Sequence, residues 1–219
     1  MEPLVTTYLE MRPGDGTSER QNGDQKFRVR EFKESNWIFN RDMYIAVGET
    51  WKWIDKRPWS NERWNEYASA PNLRTFAAYH DNALAGYYEL RRGDPPSTPS
   101  HRDEHEDEVE IAYFGLLPDF IGRGLGGALL TSAIENAWAW APTPSRVWVH
   151  TGNRDHPNAL NNYQAKGFKI YKTEEGGADQ GPLTAKPDYG PVARCPLYFG
   201  SFTCLRTAAK TSPIPVWLK

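Results

Sequence analysis

The chain has 219 residues, a formal net charge of −2 at pH 7 and nine tryptophans. This length suits one domain with a buried core, and the near-neutral charge excludes bulk attraction to nucleic acid or to an anionic membrane surface. The two cysteines, Cys195 and Cys204, are too few for a disulfide framework, and no signal-peptide pattern opens the chain, so we expect a cytoplasmic protein that does not enter a membrane.

The first half of the chain predicts antiparallel strands and two helices. Alternating side chains near the N-terminus suggest an edge strand, followed by a polar linker. Ser35 and Ser60 are each suited to be the N-cap of a helix. Asp81-Asn82 is a typical pair for a tight hairpin turn. The predicted strands are residues 3–11, 27–32, 74–80 and 83–92.

The second half predicts strands that alternate with helices. An apolar strand leads into a glycine-rich loop and then into a helix that starts at Leu125 and is ended by Pro142. A short helix over 156–166 has Pro157 in its first turn. The predicted strands here are residues 108–116, 146–151 and 167–174. The fold class is therefore α/β, with a mixed sheet and helices on its faces.

The last part of the chain is rich in glycine and proline. This composition indicates a mobile extension, or one that adds a single strand at 197–205. The predicted domain organisation is an N-terminal strand with a polar linker at 1–26, a main domain at 27–175 and a C-terminal extension at 176–219.

The glycine-rich loop is the clearest candidate for a binding site. Glycine stands at 122, 124, 126 and 127, between the strand and the start of the helix. The first backbone N–H groups of a helix have no partners inside the helix, and the helix dipole adds partial positive charge there. Glycines let a phosphate come close to this backbone. The pattern indicates a phosphate-bearing cofactor.

Three other structures could contain glycines in this pattern. Gly122, Gly124 and Gly127 also satisfy the dinucleotide pattern G-x-G-x-x-G, but the next strand ends in His150 and Thr151, not in the acidic residue that a dinucleotide fold needs. A P-loop is excluded because no Lys-Ser or Lys-Thr follows the glycines. A tight turn with packing glycines is the structural alternative.

Two segments carry a resemblance to a known family. The first is FGLLPDFIGRGLGGALL, residues 114–130, which resembles the acetyl-CoA signature of the GCN5-related N-acetyltransferases, the GNAT superfamily. The second is ALNNYQAKGF, residues 159–168, which resembles the tyrosine-containing ending of that family's domain. The chain departs from the family pattern at Ile121, where Gln or Arg is usual, and at His156, Asn162 and Ala165.

The resemblance implies a GNAT fold, in which antiparallel N-terminal strands precede a parallel pair that splays apart at the cofactor cleft. It implies acetyl-CoA as co-substrate, with its pyrophosphate on the glycine loop and its pantetheine arm on the backbone of the preceding strand. The cofactor-binding residues implied in this way are Leu116, Leu117, Gly122, Arg123, Gly124, Leu125, Gly126 and Gly127.

The resemblance also implies two catalytic residues. Tyr163 is placed like the family's general acid toward the departing thiolate, although an aromatic residue on an amphipathic helix is by itself more often part of the core. Glu110 is placed like the general base of the histone-acetylating branch, although it also ends an acidic run. Glu89, His150 or a water molecule are the alternatives to Glu110 as base.

The predicted function is transfer of an acetyl group from acetyl-CoA to a primary amine by direct attack. The acceptor would be a small molecule or a peptide, no nucleic acid or membrane partner is expected, and a homodimer is left open. The alternatives are a non-catalytic acyl-CoA sensor of the same fold and a dinucleotide-binding domain.

Two further features have a structural and a functional interpretation. The tryptophans at 51, 53, 59 and 64 either belong to the core or line the acceptor pocket, because aromatic walls suit apolar or cationic ligands. His101 and His105 match an H-x-x-E-H pattern, but no apolar residues there would hold the required helix, so we expect a solvated loop and no metal site.

Overall fold

The structure is a computed structural model of the chain, and it describes residues 3–16, 26–51, 53–93 and 107–176. The strands are β1 (Leu4–Met11), β2 (Phe27–Glu31), β3 (Leu73–His80), β4 (Ala83–Arg92), β5 (Glu108–Leu116), β6 (Arg146–Gly152) and β7 (Lys169–Gly176). The helices are α1 (Trp37–Gly48), α2 (Asn61–Ala68), α3 (Leu125–Trp138) and α4 (Ala159–Ala165), with a 3-10 turn at Pro118–Phe120.

Within the described residues the strands form one sheet in the order β2-β3-β4-β5-β6-β1-β7. The β5–β6 pair is parallel, and the other neighbouring pairs are antiparallel. The predicted α/β fold with a mixed sheet is confirmed. The prediction that the N-terminal strand lies at an edge is wrong, because β1 lies between β6 and β7. Alternating burial identifies a strand but says nothing about its neighbours.

The parallel pair opens into a cleft after a short stretch of pairing. β5 and β6 are paired from Glu108 and Arg146 to Glu110 and Trp148. Beyond that point β5 stays with β4, and β6 stays with β1. A register shift accompanies the opening, because Ile111 is opposite Leu90 while Tyr113 is opposite the preceding residue of β4. Such a bulge bends the strand and increases its twist, which favours divergence.

Helices cover the two faces of the sheet. α3 packs on one face, where Leu129, Leu130 and Ala133 are buried in the main core. α1 packs on the other face, where Met43 and Val47 contact the β4 side chain of Tyr87. The close approach of α1 depends on Gly115 of β5, because a Cβ there would lie 2.3 Å from Cγ1 of Val47.

The local signals for helix ends and turns were partly correct. Ser60 caps α2 by accepting a hydrogen bond from the backbone N–H of Arg63, and the Asp81-Asn82 turn has φ values of 49° and 66°, both as predicted. The N-cap of α1 is Asn36, not Ser35, since the Asn36 side chain accepts from the N–H of Phe39.

Pro157 precedes α4 instead of lying in its first turn, because the helix begins only at Ala159.

Several predictions fall on residues outside the described ranges. These are the C-terminal extension beyond residue 176, its strand at 197–205, the two cysteines and the pattern at His101 and His105. Within the described ranges, none of the helices is both long and apolar enough to span a membrane.

Candidate active site

A cavity of about 810 Å³ lies where β5 and β6 diverge. Its walls come from both strands, from the loop before α3, from α4 and from the segment between α1 and α2. Among the predicted cofactor-binding residues and the candidate acids and bases, those that line it are Leu116, Gly122, Gly124, Gly126, Gly127, His150 and Tyr163. The cleft therefore brings together two motifs that are far apart in the chain.

The glycine loop forms one end of this cavity. Gly122 and Gly124 have φ values of 80° and 77°, in the left-handed region that glycine adopts without strain. Gly124 is also the N-cap residue of α3, and no side chain of the described residues caps the helix. A Cβ on either glycine would meet no atom within 4 Å, so the space above the loop is open. This geometry fits a phosphate bound by the first amides of α3.

The neighbouring residues fit the cofactor prediction unequally. Leu116 lines the cavity, as expected. Leu117 is not among the lining residues, its N–H donates to the carbonyl of Ala85 at 2.8 Å and its carbonyl accepts from the N–H of Phe120 at 2.9 Å, so its role toward the cofactor stays a prediction. Leu125 is buried in the core, so only its backbone can serve a ligand. The Arg123 guanidinium lies 5.0 Å from the centroid of the Phe120 ring. Arg123 is not among the residues that line the cavity.

Tyr163 reaches the cavity from α4. Its ring is buried, with centroids 6.2 Å from Phe114 and 5.9 Å from Phe168. No described residue hydrogen-bonds its hydroxyl, so the O–H is available to a ligand in the cavity. Burial, with a smaller contribution from the charge of Asp155, raises the pKa of this phenol well above its usual range. Tyr163 therefore keeps its proton at neutral pH, as a proton donor must.

Glu110 lies behind the cavity wall. Its Oε2 accepts two hydrogen bonds from Arg91, at 2.6 Å from Nη2 and 3.0 Å from Nε. Its Oε1 lies 3.7 Å from Nε2 of His150, and it is His150 that lines the cavity. Glu110 can therefore influence a ligand in the cavity through its contact with His150. Its role as base stays a prediction.

Glu89, the alternative base, is buried in a different environment. It accepts a hydrogen bond from the Asn40 side-chain amide at 2.8 Å and another from the Tyr67 hydroxyl. Burial raises the pKa of its carboxyl, while the nearby Lys56 ammonium partly offsets this effect. Glu89 is not among the residues that line the cavity. Its contacts support a structural role under α1 and α2.

The four tryptophans divide between the two roles that the sequence left open. Trp51 and Trp53 line the cavity, whereas Trp59 and Trp64 enclose a buried lysine, Lys56. The Lys56 Nζ lies 4.8 Å from the Trp59 centroid and 5.8 Å from the Trp64 centroid. It also lies 3.3 Å and 4.3 Å from the centroids of Tyr67 and Tyr113.

Burial among these rings lowers the pKa of Lys56 to about 7, although the charges of Glu89 and Asp55 act in the opposite direction. Sequence reasoning missed both Lys56 and Asp55, and Asp55 lines the cavity. The alternation of tryptophans with charged residues over 51–59 was the available signal. It did not show which charge would be buried.

The family model "Acetyltransferase (GNAT) family" matches residues 34–168 of this chain. With the splayed parallel pair and the glycine loop at the start of α3, the match defines an acyltransferase fold. The chain belongs to the GNAT acetyltransferase family.

Relatives are named as uncharacterized N-acetyltransferases of Mycobacterium bovis and Mycobacterium tuberculosis, and each is 32% identical over 114 residues. The matched part spans 52% of this chain and 64% of each relative's length.

Solved structures show the same fold at low sequence identity. A GCN5-related N-acetyltransferase from Kribbella flavida is 14% identical, with a TM-score of 0.54 over 84% of this chain and 63% of that one. Another, from Sphaerobacter thermophilus, is 14% identical, with a TM-score of 0.56 over 80% of this chain and 51% of that one. At this identity the likeness concerns the fold alone.

Proposed function

We propose that the protein transfers the acetyl group of acetyl-CoA to a primary amine of a small molecule or peptide, by direct attack of the amine. The observation that carries this proposal is the shared cavity where β5 and β6 diverge, which is lined both by the glycines at the start of α3 and by Tyr163. Family membership favours acetyl-CoA over the dinucleotide alternative.

The chain offers suitable groups for acetyl-CoA. The amides from Gly122 to Gly127 would hold the pyrophosphate, because they are uncapped and open to the cavity. The backbone of Leu116 would pair with the pantetheine arm along the open edge of β5. Bound there, acetyl-CoA supplies the thioester that the amine attacks.

Two proton movements are needed, and different walls of the cavity serve them. An alkyl amine with a pKa of about 10 must lose a proton before it can attack. His150 lines the cavity and has the Glu110 carboxylate behind it, so this pair can receive that proton directly or through water. On the α4 side, Tyr163 holds a proton for the departing sulfur. No protein nucleophile is required.

Thiol release measured over a broad panel of amines, together with calorimetric titration of acetyl-CoA, tests this function. We expect acetyl-CoA to bind and free thiol to appear above the hydrolysis rate with at least one amine. Binding of acetyl-CoA without any amine-dependent thiol would contradict catalysis and favour a non-catalytic acyl-CoA sensor.

A further inference from the structure

Asp55 is a carboxylate on the cavity wall, in the segment between α1 and α2. Its Oδ1 accepts a hydrogen bond from the Tyr44 hydroxyl at 2.5 Å, and its Oδ2 accepts a longer one from the Tyr113 hydroxyl at 3.4 Å. Among the described residues, no lysine or arginine nitrogen lies within 4.0 Å of it. Asp55 is therefore a fixed negative charge that faces the cavity without an ion-pair partner from those residues.

Aromatic rings surround this carboxylate. The Trp53 ring lies 5.2 Å from that of Tyr113 and 5.5 Å from that of Tyr44, and both Trp53 and Tyr113 line the cavity. Trp53 is held against α1 at Gly48, where a Cβ would lie 2.5 Å from the tryptophan Cβ. Ring faces and a carboxylate on one wall attract an organic ammonium group, through cation–π and charge-assisted contacts.

Among the described residues, the two cations next to Asp55 in the sequence, Lys56 and Arg57, are engaged elsewhere. Lys56 has its ammonium 4.3 Å from the Tyr113 ring but does not line the cavity, so it lies behind the wall. Arg57 donates from Nε to the carbonyl of Trp53 at 2.8 Å. The cavity side of Asp55 is thus open to a cation from a ligand.

We propose that Asp55, Trp53 and Tyr113 form a subsite for a second cationic group of the acceptor, so that the acceptor is a diamine or a larger molecule with a basic group besides the amine that is acetylated. The attacking nitrogen must become neutral, and a carboxylate would hold it charged, so Asp55 suits a nitrogen that does not react. This inference rests on the proposed function and names the substrate class of the same cavity.

The test compares linear diamines with amino alcohols of the same length, which replace the second ammonium by a neutral hydroxyl. For the best length, we expect kcat/KM to be about ten- to hundredfold higher for the diamine, the range of a charged hydrogen bond. Asp55→Asn should remove this preference while leaving acetyl-CoA affinity and the rate with the amino alcohol within about twofold. Glu66→Gln, an exposed carboxylate change on α2, is the matched control and should keep the preference.

Absence of any diamine preference in the parent would overturn the inference, even if Asp55→Asn failed to fold. A preference that survives in folded Asp55→Asn would overturn it as well. Calorimetric titration of the protein saturated with CoA compares the affinities for the diamine and the amino alcohol. It tests the preference for the diamine independently of turnover. Failure of the proposed function would appear differently, as no thiol release with any amine in the series.

Discussion

Tyr163 is buried, lines the cavity and has a hydroxyl that no described residue hydrogen-bonds, so removing this hydroxyl tests one group alone. Tyr163→Phe removes only that hydroxyl. We expect kcat to fall by about 10- to 1000-fold, because proton donation is lost, with little change in acetyl-CoA affinity. Steady-state kinetics and calorimetry measure the two quantities. Tyr171→Phe, on the exposed part of β7, is the control. An unchanged kcat in Tyr163→Phe would exclude the acid role.

Glu110 should affect the pH dependence more than the maximal rate. Glu110→Gln removes the negative charge behind His150, so we expect kcat/KM to fall near neutral pH and to recover at alkaline pH, where the amine loses its proton unaided. The control is Glu108→Gln, on the same strand as Glu110, which breaks an ion pair with Arg146 of β6. Loss of rate at every pH, or an equal profile in the control, would contradict a role for Glu110 in deprotonation.

The buried Lys56 should make the stability of the protein depend on pH. Its folded pKa of about 7 is below the unfolded value of 10.5, so the unfolded state binds more protons between these values and the free energy of unfolding rises with pH. Lys56→Met removes this dependence. Between about pH 7 and pH 9, the parent should gain about 2 kcal/mol relative to the variant. Denaturant unfolding measures the difference.

Lys33→Met changes an exposed lysine and is the control. Its free energy of unfolding should change with pH as that of the parent does. If the free energies of unfolding of the parent and of Lys56→Met differed by the same amount at every pH, Lys56 would keep an ordinary pKa in the folded protein.

Among the structural elements, the loop before α3 allows a direct test of the proposed phosphate site. Gly124→Asp places a carboxylate where we propose a phosphate, whereas Gly124→Asn has the same size and no charge, and asparagine tolerates positive φ well. We expect Gly124→Asp to weaken acetyl-CoA binding about tenfold or more beyond Gly124→Asn, and Arg123→Ala to weaken it much less. Calorimetry measures the affinities, and thermal unfolding shows that the proteins are folded. Equal affinities in the two Gly124 variants would contradict a pyrophosphate site here.

The elements that sequence reasoning placed correctly depend on local signals. The Asp81-Asn82 turn, the Ser60 cap and the strand–loop–helix unit ending in α3 each follow from residues a few positions apart. The position of β1 in the sheet did not follow, since pairing partners are set by contacts distant in sequence. The Asn36 cap was missed by one residue, because Ser35 and Asn36 are both good caps and the helix start decides between them.

The site shows the same division. The glycine loop and Tyr163 are in recognisable motifs, and the structure brings both to one cavity. Lys56 and Asp55 are adjacent in the chain but have opposite surroundings, one enclosed by rings and the other facing the cavity. That outcome depends on how α1 and α2 pack against β4 and β5, which no short pattern encodes.

For the whole molecule, we propose that one cavity holds acetyl-CoA and the acceptor amine together. The acetyl group then passes between them without a covalent protein intermediate. The most direct measurement uses acetyl-CoA labelled in its acetyl group, with mass spectrometry of the amine and of the intact protein, before and after acceptor is added. We expect label in the amine and an unchanged protein mass at every stage. Acetylated protein that accumulates without acceptor and disappears when the amine is added, or no labelled amine at all, would contradict it.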